Sequence, residues 1–133
     1  MQNPQILVIE SEPSQQETLS FMAEQNGFDA HVVPSCKEGI GAFLTNSASA
    51  SLVLIDSKLL AQEEGRDCVA ELRKIEEQRG WHTPIIVLGS KNEEQTLPVH
   101  STVDDFLVKP YTAEDFERVV IERARGQNGQ KGS

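Results

Sequence analysis

Leu52-Val53-Leu54-Ile55-Asp56 is a run of four apolar residues closed by a carboxylate, and Phe106-Leu107-Val108-Lys109 is a second apolar run closed by an ammonium. Unbroken apolar runs of this length predict strands buried on both faces. Ile6-Leu7-Val8-Ile9 ends in the same way at Glu10, and Ile85-Ile86-Val87-Leu88 ends at Gly89-Ser90. In an open parallel sheet, ligands collect outside the carboxyl ends of the strands, where the strand order reverses. Two carboxylates, a lysine and a small polar pair are therefore expected along one edge.

Outward from these runs, strand-length apolar segments alternate with helical patterns five times, which predicts a doubly wound parallel α/β sheet. The first strand reads Gln5 to Glu10 and the first helix Pro13 to Asn26, with Leu19, Met22 and Ala23 inward and Gly27 as its stop. Phe28 to Val33 is strand two. Ser35 with Glu38 reads as a capping box, opening a helix to Asn46 whose core face is Ile40, Phe43 and Leu44. Gly39 and Gly41 weaken that helix by about 1 kcal/mol each relative to Ala. Ser47 to Ser51 is a loop into strand three.

A loop is expected from Asp56 through Gly65, then a helix to Gln78 with Val69, Leu72 and Ile75 inward. Trp81 falls in the turn into strand four, over an edge of the core. Pro98 forbids a regular helix through that point, so the helix after strand four is short or irregular. Strand five is Asp105 to Val108. The last helix opens at Thr112, with Asp115 completing a capping box and Phe116, Val119, Val120 and Ala124 inward. The domain is placed at 1–125, with 126–133 a flexible polar tail or truncated linker.

The chain has 133 residues and a formal net charge of −9. That length supports one domain without staples. The acidic balance argues against direct nucleic-acid binding, which needs clustered Lys and Arg. Cys36 and Cys68, the two cysteines, match no disulfide framework or zinc spacing and are expected to be reduced core residues. The N-terminus lacks a signal pattern and no apolar run is long enough to span a membrane, so a soluble cytoplasmic protein is expected. His31, His82 and His100 are scattered. No G-x-G-x-x-G or P-loop follows strand one, and no G-x-S-x-G elbow is present, which disfavours a nucleotide binder or a hydrolase.

Two carboxylates and a lysine at adjacent strand ends suit phosphoryl transfer to Asp56, because a carboxylate is a competent nucleophile toward phosphorus. Repulsion of the anionic group must then be offset by a divalent cation and a fixed ammonium. Together, Ile-Leu-Val-Ile-Glu-Ser-Glu-Pro (6–13), Leu-Val-Leu-Ile-Asp (52–56), Thr-Pro-Ile-Ile-Val-Leu (83–88) and Asp-Asp-Phe-Leu-Val-Lys-Pro (104–110) resemble the receiver domain of two-component response regulators. The resemblance runs from Ile6 to about Arg125. It implies a flavodoxin-like (βα)5 fold with strand order 2-1-3-4-5, Asp56 as phosphoacceptor, Lys109 as the lysine that senses the phosphoryl group, and a cis Lys109-Pro110 bond. It also implies Mg2+ held by Glu10, Asp56 and the Lys58 backbone carbonyl. A histidine kinase or phosphotransfer protein is the implied donor and an output domain or partner protein the implied target. The chain itself is expected not to be an enzyme and to contact no membrane or nucleic acid directly, and the resemblance admits a homodimer, since receiver-like proteins often pair through the fourth-helix to fifth-helix face.

The departures are as informative. Ser11 stands where the family has a second acidic magnesium ligand, which makes it a weak or lost ligand. Glu12 is expected to point away from the pocket. Gly89 stands in place of the Thr or Ser whose hydroxyl follows the phosphoryl group, and Phe106 occupies the aromatic switch position. Ser90 reads as a cap for the short helix, or as a substitute hydroxyl if the loop is re-routed. Lys58 reads as a solvated loop lysine or as a second ammonium near the site, and Leu60 replaces a usual proline. With glycine at 89, weak conformational coupling is expected, and Gly89→Thr with Ser11→Asp is expected to strengthen switching. The alternative is a phosphorylation-independent pseudo-receiver, a protein-interaction module.

Overall fold

Alternate residues of each strand belong to two different cores. Ile6, Val8, Leu52, Leu54, Ile86, Leu88 and Leu107 pack with one set of helices, and Leu7, Ile9, Val53, Ile55, Ile85 and Val87 with another. Burial on both faces is the reason these strands read as unbroken apolar runs. The structure, a computed structural model, describes residues 3–46, 50–80, 82–96 and 102–132, with no side-chain description for Asn46, Glu63 or 125–132. Trp81, Pro98, His100 and 47–49 of the loop expected at 47–51 lie outside the described residues, and Ala50 and Ser51 belong to a strand.

The elements are β1 (Gln5–Ile9), α1 (Pro13–Gln25), β2 (Asp29–Val33), α2 (Cys36–Asn46), β3 (Ala50–Asp56), α3 (Ser57–Ala61), a 3-10 turn (Glu63–Gly65), α4 (Cys68–Arg79), β4 (Ile85–Gly89), α5 (Lys91–Thr96), β5 (Asp105–Val108) and α6 (Ala113–Gly132). All strand pairs are parallel, in the order β2-β1-β3-β4-β5. One core layer brings α2, α3 and α4 onto the sheet through Phe43, Leu59, Leu60, Val69, Leu72 and Ile75. The other brings α1 and α6, through Leu19, Ala23, Phe116, Val119 and Val120. Cys36 and Cys68 are free and buried in the first layer. The described helices include none long and apolar enough to cross a membrane.

Local signals account for most helix ends. The Ser35 hydroxyl accepts the Glu38 amide at the start of α2. At α6, Thr112 and Asp115 cap each other, with Asp115 N donating to Thr112 Oγ1 at 3.0 Å and Thr112 N to Asp115 Oδ2 at 3.1 Å. Gly39 has a role that the sequence reading valued only as a cost. A Cβ there would collide with the Ile9 side chain, Cγ1 lying at 2.9 Å, so glycine lets α2 close onto β1.

Three expectations are corrected. Leu44 is half exposed and does not share the core face with Phe43. The segment after Asp56 is not a loop: Asp56 caps a helical turn, and Leu59 and Leu60 anchor it by burial. The last helix continues past Gly126 to Gly132, where a flexible tail was expected.

A polar network ties the far end of the sheet together. Arg73 on α4 donates to Asp104 Oδ2 at 2.8 Å, to Glu76 Oε2 at 2.9 Å and to the Thr83 carbonyl at 3.0 Å, while Ile85 N donates to Asp104 Oδ2. His82 bridges Asp104 and Glu76. These bonds hold the starts of β4 and β5, and so set the register that presents the carboxyl ends of the strands at the opposite edge.

Candidate functional site

Strand order reverses between β1 and β3, because β1 lies between β2 and β3. The register that pairs Ile9 with Ile55 therefore sets Glu10 beside Asp56 at the crevice where such sheets bind ligands. Leu88 pairs with Asp56, and Val108 with Gly89. Lys109 N donates to the Gly89 carbonyl at 2.7 Å, which fixes the lysine's starting point at the same edge. Lys109 follows through the cis Lys109-Pro110 bond into the turn before α6.

Asp56 is buried and fully engaged. Lys109 Nζ donates to its Oδ1 at 2.5 Å, and Lys58 N donates to its Oδ2 at 3.1 Å. Glu10 is also buried: its Oε2 accepts the Glu12 amide at 3.0 Å, while its Oε1 has no partner. Burial pushes the Glu10 carboxyl above its ordinary value, and the Asp56 charge adds to this, against the opposing Glu12 amide and Lys109. Tyr111 borders the same edge, stacked on Phe116 with ring centroids 6.3 Å apart. Burial, with the charges of Glu10 and Asp56, pushes its phenol up to about 12.

A buried carboxylate oxygen without a partner is costly, and here it stands next to a second carboxylate. That donor set fits a hard divalent cation taking one or two carboxylates and completing its shell with water or phosphate oxygens. Among the described residues no group of three or more His, Cys, Asp or Glu side chains is suited to a metal ion. The site is thus a two-carboxylate site. Ser11 is exposed, and so is Glu12, which accepts a hydrogen bond from Ser14 at 2.9 Å. The Lys58 side chain is exposed, so its amide rather than its ammonium serves Asp56. The Lys58 carbonyl as a ligand rests on the resemblance alone.

Phe106 is half-buried against the α2–α4 core layer. Ser90 caps α5, accepting the Glu93 amide at 3.1 Å, while Ser90 N donates to Glu93 Oε1 at 2.7 Å. Two residues of this edge were not singled out in the sequence. Ser57, almost fully buried, donates its hydroxyl to Glu93 Oε1 at 2.8 Å. These bonds, chiefly the Ser90 amide and then the Ser57 hydroxyl, hold the Glu93 carboxyl below its ordinary value. A Cβ at Gly89 would collide with Ser57 Oγ and lie 2.6 Å from Ser57 Cβ and 2.9 Å from Glu93 Oε1. The expectation that Gly89→Thr simply restores a missing hydroxyl is therefore corrected: the space is already taken. The Ser90-x-x-Glu93 spacing is a capping-box signal that could have flagged Glu93.

The comparisons with known proteins bear on the family and the fold. Residues 6–121 match the family model described as response regulator receiver domain. Sensory transduction protein RegX3 of Mycobacterium tuberculosis (strain H37Rv) is 28% identical over 113 residues, covering 84% of this chain and 46% of that protein. The chain thus spans about half the length of that relative. A response regulator receiver domain protein from Clostridium thermocellum superposes with a TM-score of 0.79 at 26% identity, covering 93% of this chain and 96% of that one. The receiver domain of sensor histidine kinase PA1611 from Pseudomonas aeruginosa PAO1, solved with a magnesium ion coordinated in its active site cleft, also gives a TM-score of 0.79, at 20% identity with 92% and 98% covered. Matched over residues 6–121 and folded as a parallel five-stranded sheet of order 2-1-3-4-5, the chain belongs to the response regulator receiver domain family of two-component signalling.

Proposed function

We propose that Asp56 is the phosphoacceptor of this receiver domain and that its donor is a phosphohistidine on a histidine kinase or phosphotransfer protein. The observation that carries this is a trio at one strand edge: the buried Asp56 Oδ1 on the partly exposed Lys109 Nζ, with the unpartnered Oε1 of the buried Glu10 beside it. An Asp56 carboxylate oxygen forms the new O–P bond as the N–P bond breaks. The electron pair stays on the imidazole nitrogen, which takes up a proton from water. Lys109 supplies a fixed ammonium for the charge that collects on the phosphoryl oxygens. Glu10 and Asp56 would hold a magnesium ion, which when bound offsets the same charge. Ser11, a neutral hydroxyl in place of a carboxylate, makes this affinity weaker than a site with three acids would have.

The chain works as a signalling acceptor in the cytoplasm rather than as an enzyme in its own right. The charge of about −1.5 to −2 that a phosphoryl group adds is read by an output domain or partner protein, or by a second copy meeting the face of α5, β5 and α6. The test is incubation with acetyl phosphate, with and without magnesium, followed by intact mass, alongside Asp56→Ala. A magnesium-dependent phosphoryl adduct absent from the mutant is expected. No adduct, with a working receiver succeeding in parallel, would overturn the assignment.

A further inference from the structure

Gly89 lacks a side chain, yet the place where its side chain would go is filled: Ser57 Cβ and Oγ occupy it, reaching across from the end of β3. We propose that Ser57 carries the reporting hydroxyl of this domain, transposed from the end of β4 to the residue after Asp56, and that Glu93 on α5 is its readout. The inference rests on the reading of Asp56 as the phosphoacceptor.

Ser57 follows Asp56 directly in the chain, is almost fully buried, and spends its O–H on Glu93 Oε1 at 2.8 Å. That same oxygen accepts the Ser90 amide at 2.7 Å. Glu93 lies in α5, a helix of six residues with no buried residue. With no apolar anchor of its own, α5 depends on polar bonds at its start, which makes it a segment of low local stability. Among the described residues, the Ser57–Glu93 hydrogen bond ties it to the phosphorylation edge.

A hydroxyl donates one hydrogen bond at a time. A phosphoryl group on Asp56 presents strong anionic acceptors next to Ser57, and the Ser57 O–H turns from Glu93 to a phosphoryl oxygen. Glu93 then keeps the Ser90 amide but loses the Ser57 bond. Lys109, whose charge also attracts Glu93, is drawn to the phosphoryl group as well. Like-charge repulsion between phosphoryl and carboxylate acts in the same direction. Each change loosens α5. Ser57 is thus a positioning residue, and the bistable element it biases is the start of α5.

The test is hydrogen exchange of the 89–96 segment before and during steady-state phosphorylation by acetyl phosphate with magnesium, with adduct fractions matched by intact mass. In the unsubstituted protein, phosphorylation is expected to speed exchange in this segment about 10-fold, the loss of one hydrogen bond of roughly 1.4 kcal/mol. Ser57→Ala is expected to exchange fast already without phosphate and to keep only the smaller response that Lys109 and charge repulsion produce. The exchange Ser57→Gly with Gly89→Ser, which moves the hydroxyl to the other strand end, is expected to restore a response that a merely structural serine would not recover. Glu93→Ala, which removes the acceptor at a partly exposed helix position, is expected to exchange fast already without phosphate and to abolish the response with the fold intact. A full-sized phosphorylation response that persists in Glu93→Ala or Ser57→Ala, or one that the swap does not restore, overturns the inference alone. Absence of any adduct in the unsubstituted protein overturns the receiver reading and this inference with it.

Discussion

Gly89→Ala puts the crowding of Ser57 against Gly89 to a test of sign. A glycine in a strand costs unfolded-state entropy, so replacing it by alanine where space is open stabilises by about 0.4–1 kcal/mol. Here the new Cβ would overlap Ser57 Oγ and stand 2.6 Å from Ser57 Cβ, well inside contact distance, with both strands buried behind it. Overpacking of this kind costs typically about 1–3 kcal/mol. At roughly 2.1 cal/mol/K of unfolding entropy per residue, a chain of 133 residues should lose about 4–11 °C in Tm. The assay is urea and thermal unfolding of four proteins: unsubstituted, Gly89→Ala, Ser57→Gly and the double variant. In the Ser57→Gly background only the Glu93 Oε1 contact at 2.9 Å remains, and that is the movable end of a side chain. Gly89→Ala is there expected to be neutral or stabilising, giving a coupling of about 1–3 kcal/mol between the two positions. A stabilising Gly89→Ala in the parent, or an equal penalty in both backgrounds, would refute the reasoning.

Three further outcomes follow from the same geometry. Burial, reinforced by Asp56, raises Glu10 in the fold, so its contribution to metal-free stability is complete below the ordinary value of 4.5 and is lost as pH rises through the raised one; Glu10→Gln should flatten that limb of a urea-midpoint profile taken in chelator. Ser11→Asp should tighten magnesium binding by at least about 10-fold by calorimetry, and unchanged affinity would remove Ser11 from the metal site. Burial pulls the Asp104 carboxyl up, but bonds from Ile85, Arg73 and His82 outweigh it and hold it below its ordinary value. Its stabilisation is therefore present above the unfolded value and lost as pH falls through the folded one. Asp104→Asn should erase that acid limb and cost roughly 1–3 kcal/mol at neutral pH, read by the same unfolding assay.

Strand ends were legible in the chain because the signal is local: a run such as Leu52 to Ile55 has to be buried on both faces, and the first charge after it marks where the sheet stops. The caps Ser35, Ser90 and Thr112 were legible for the same reason, since donor and acceptor lie three residues apart. Leu44 was misread because Gly39 draws α2 onto Ile9 and so sets which side of the helix faces inward. The Asp56–Gly65 segment was misread because a one-turn helix capped by Asp56 and buried through two leucines has too little periodicity to show in sequence.

What the chain by itself determined was the alternation of elements and the residues at each strand end: Glu10, Asp56, Gly89 and Lys109. Their chemistry depended on pairings that only the tertiary structure decided. Lys109 reaches Asp56 across 53 positions, and Ser57 reaches Glu93 across 36. Whether Gly89 is an empty switch or a space given over to Ser57 depends on the distance between two parallel strands. No local propensity encodes that distance; the packing of both helical layers against the sheet sets it.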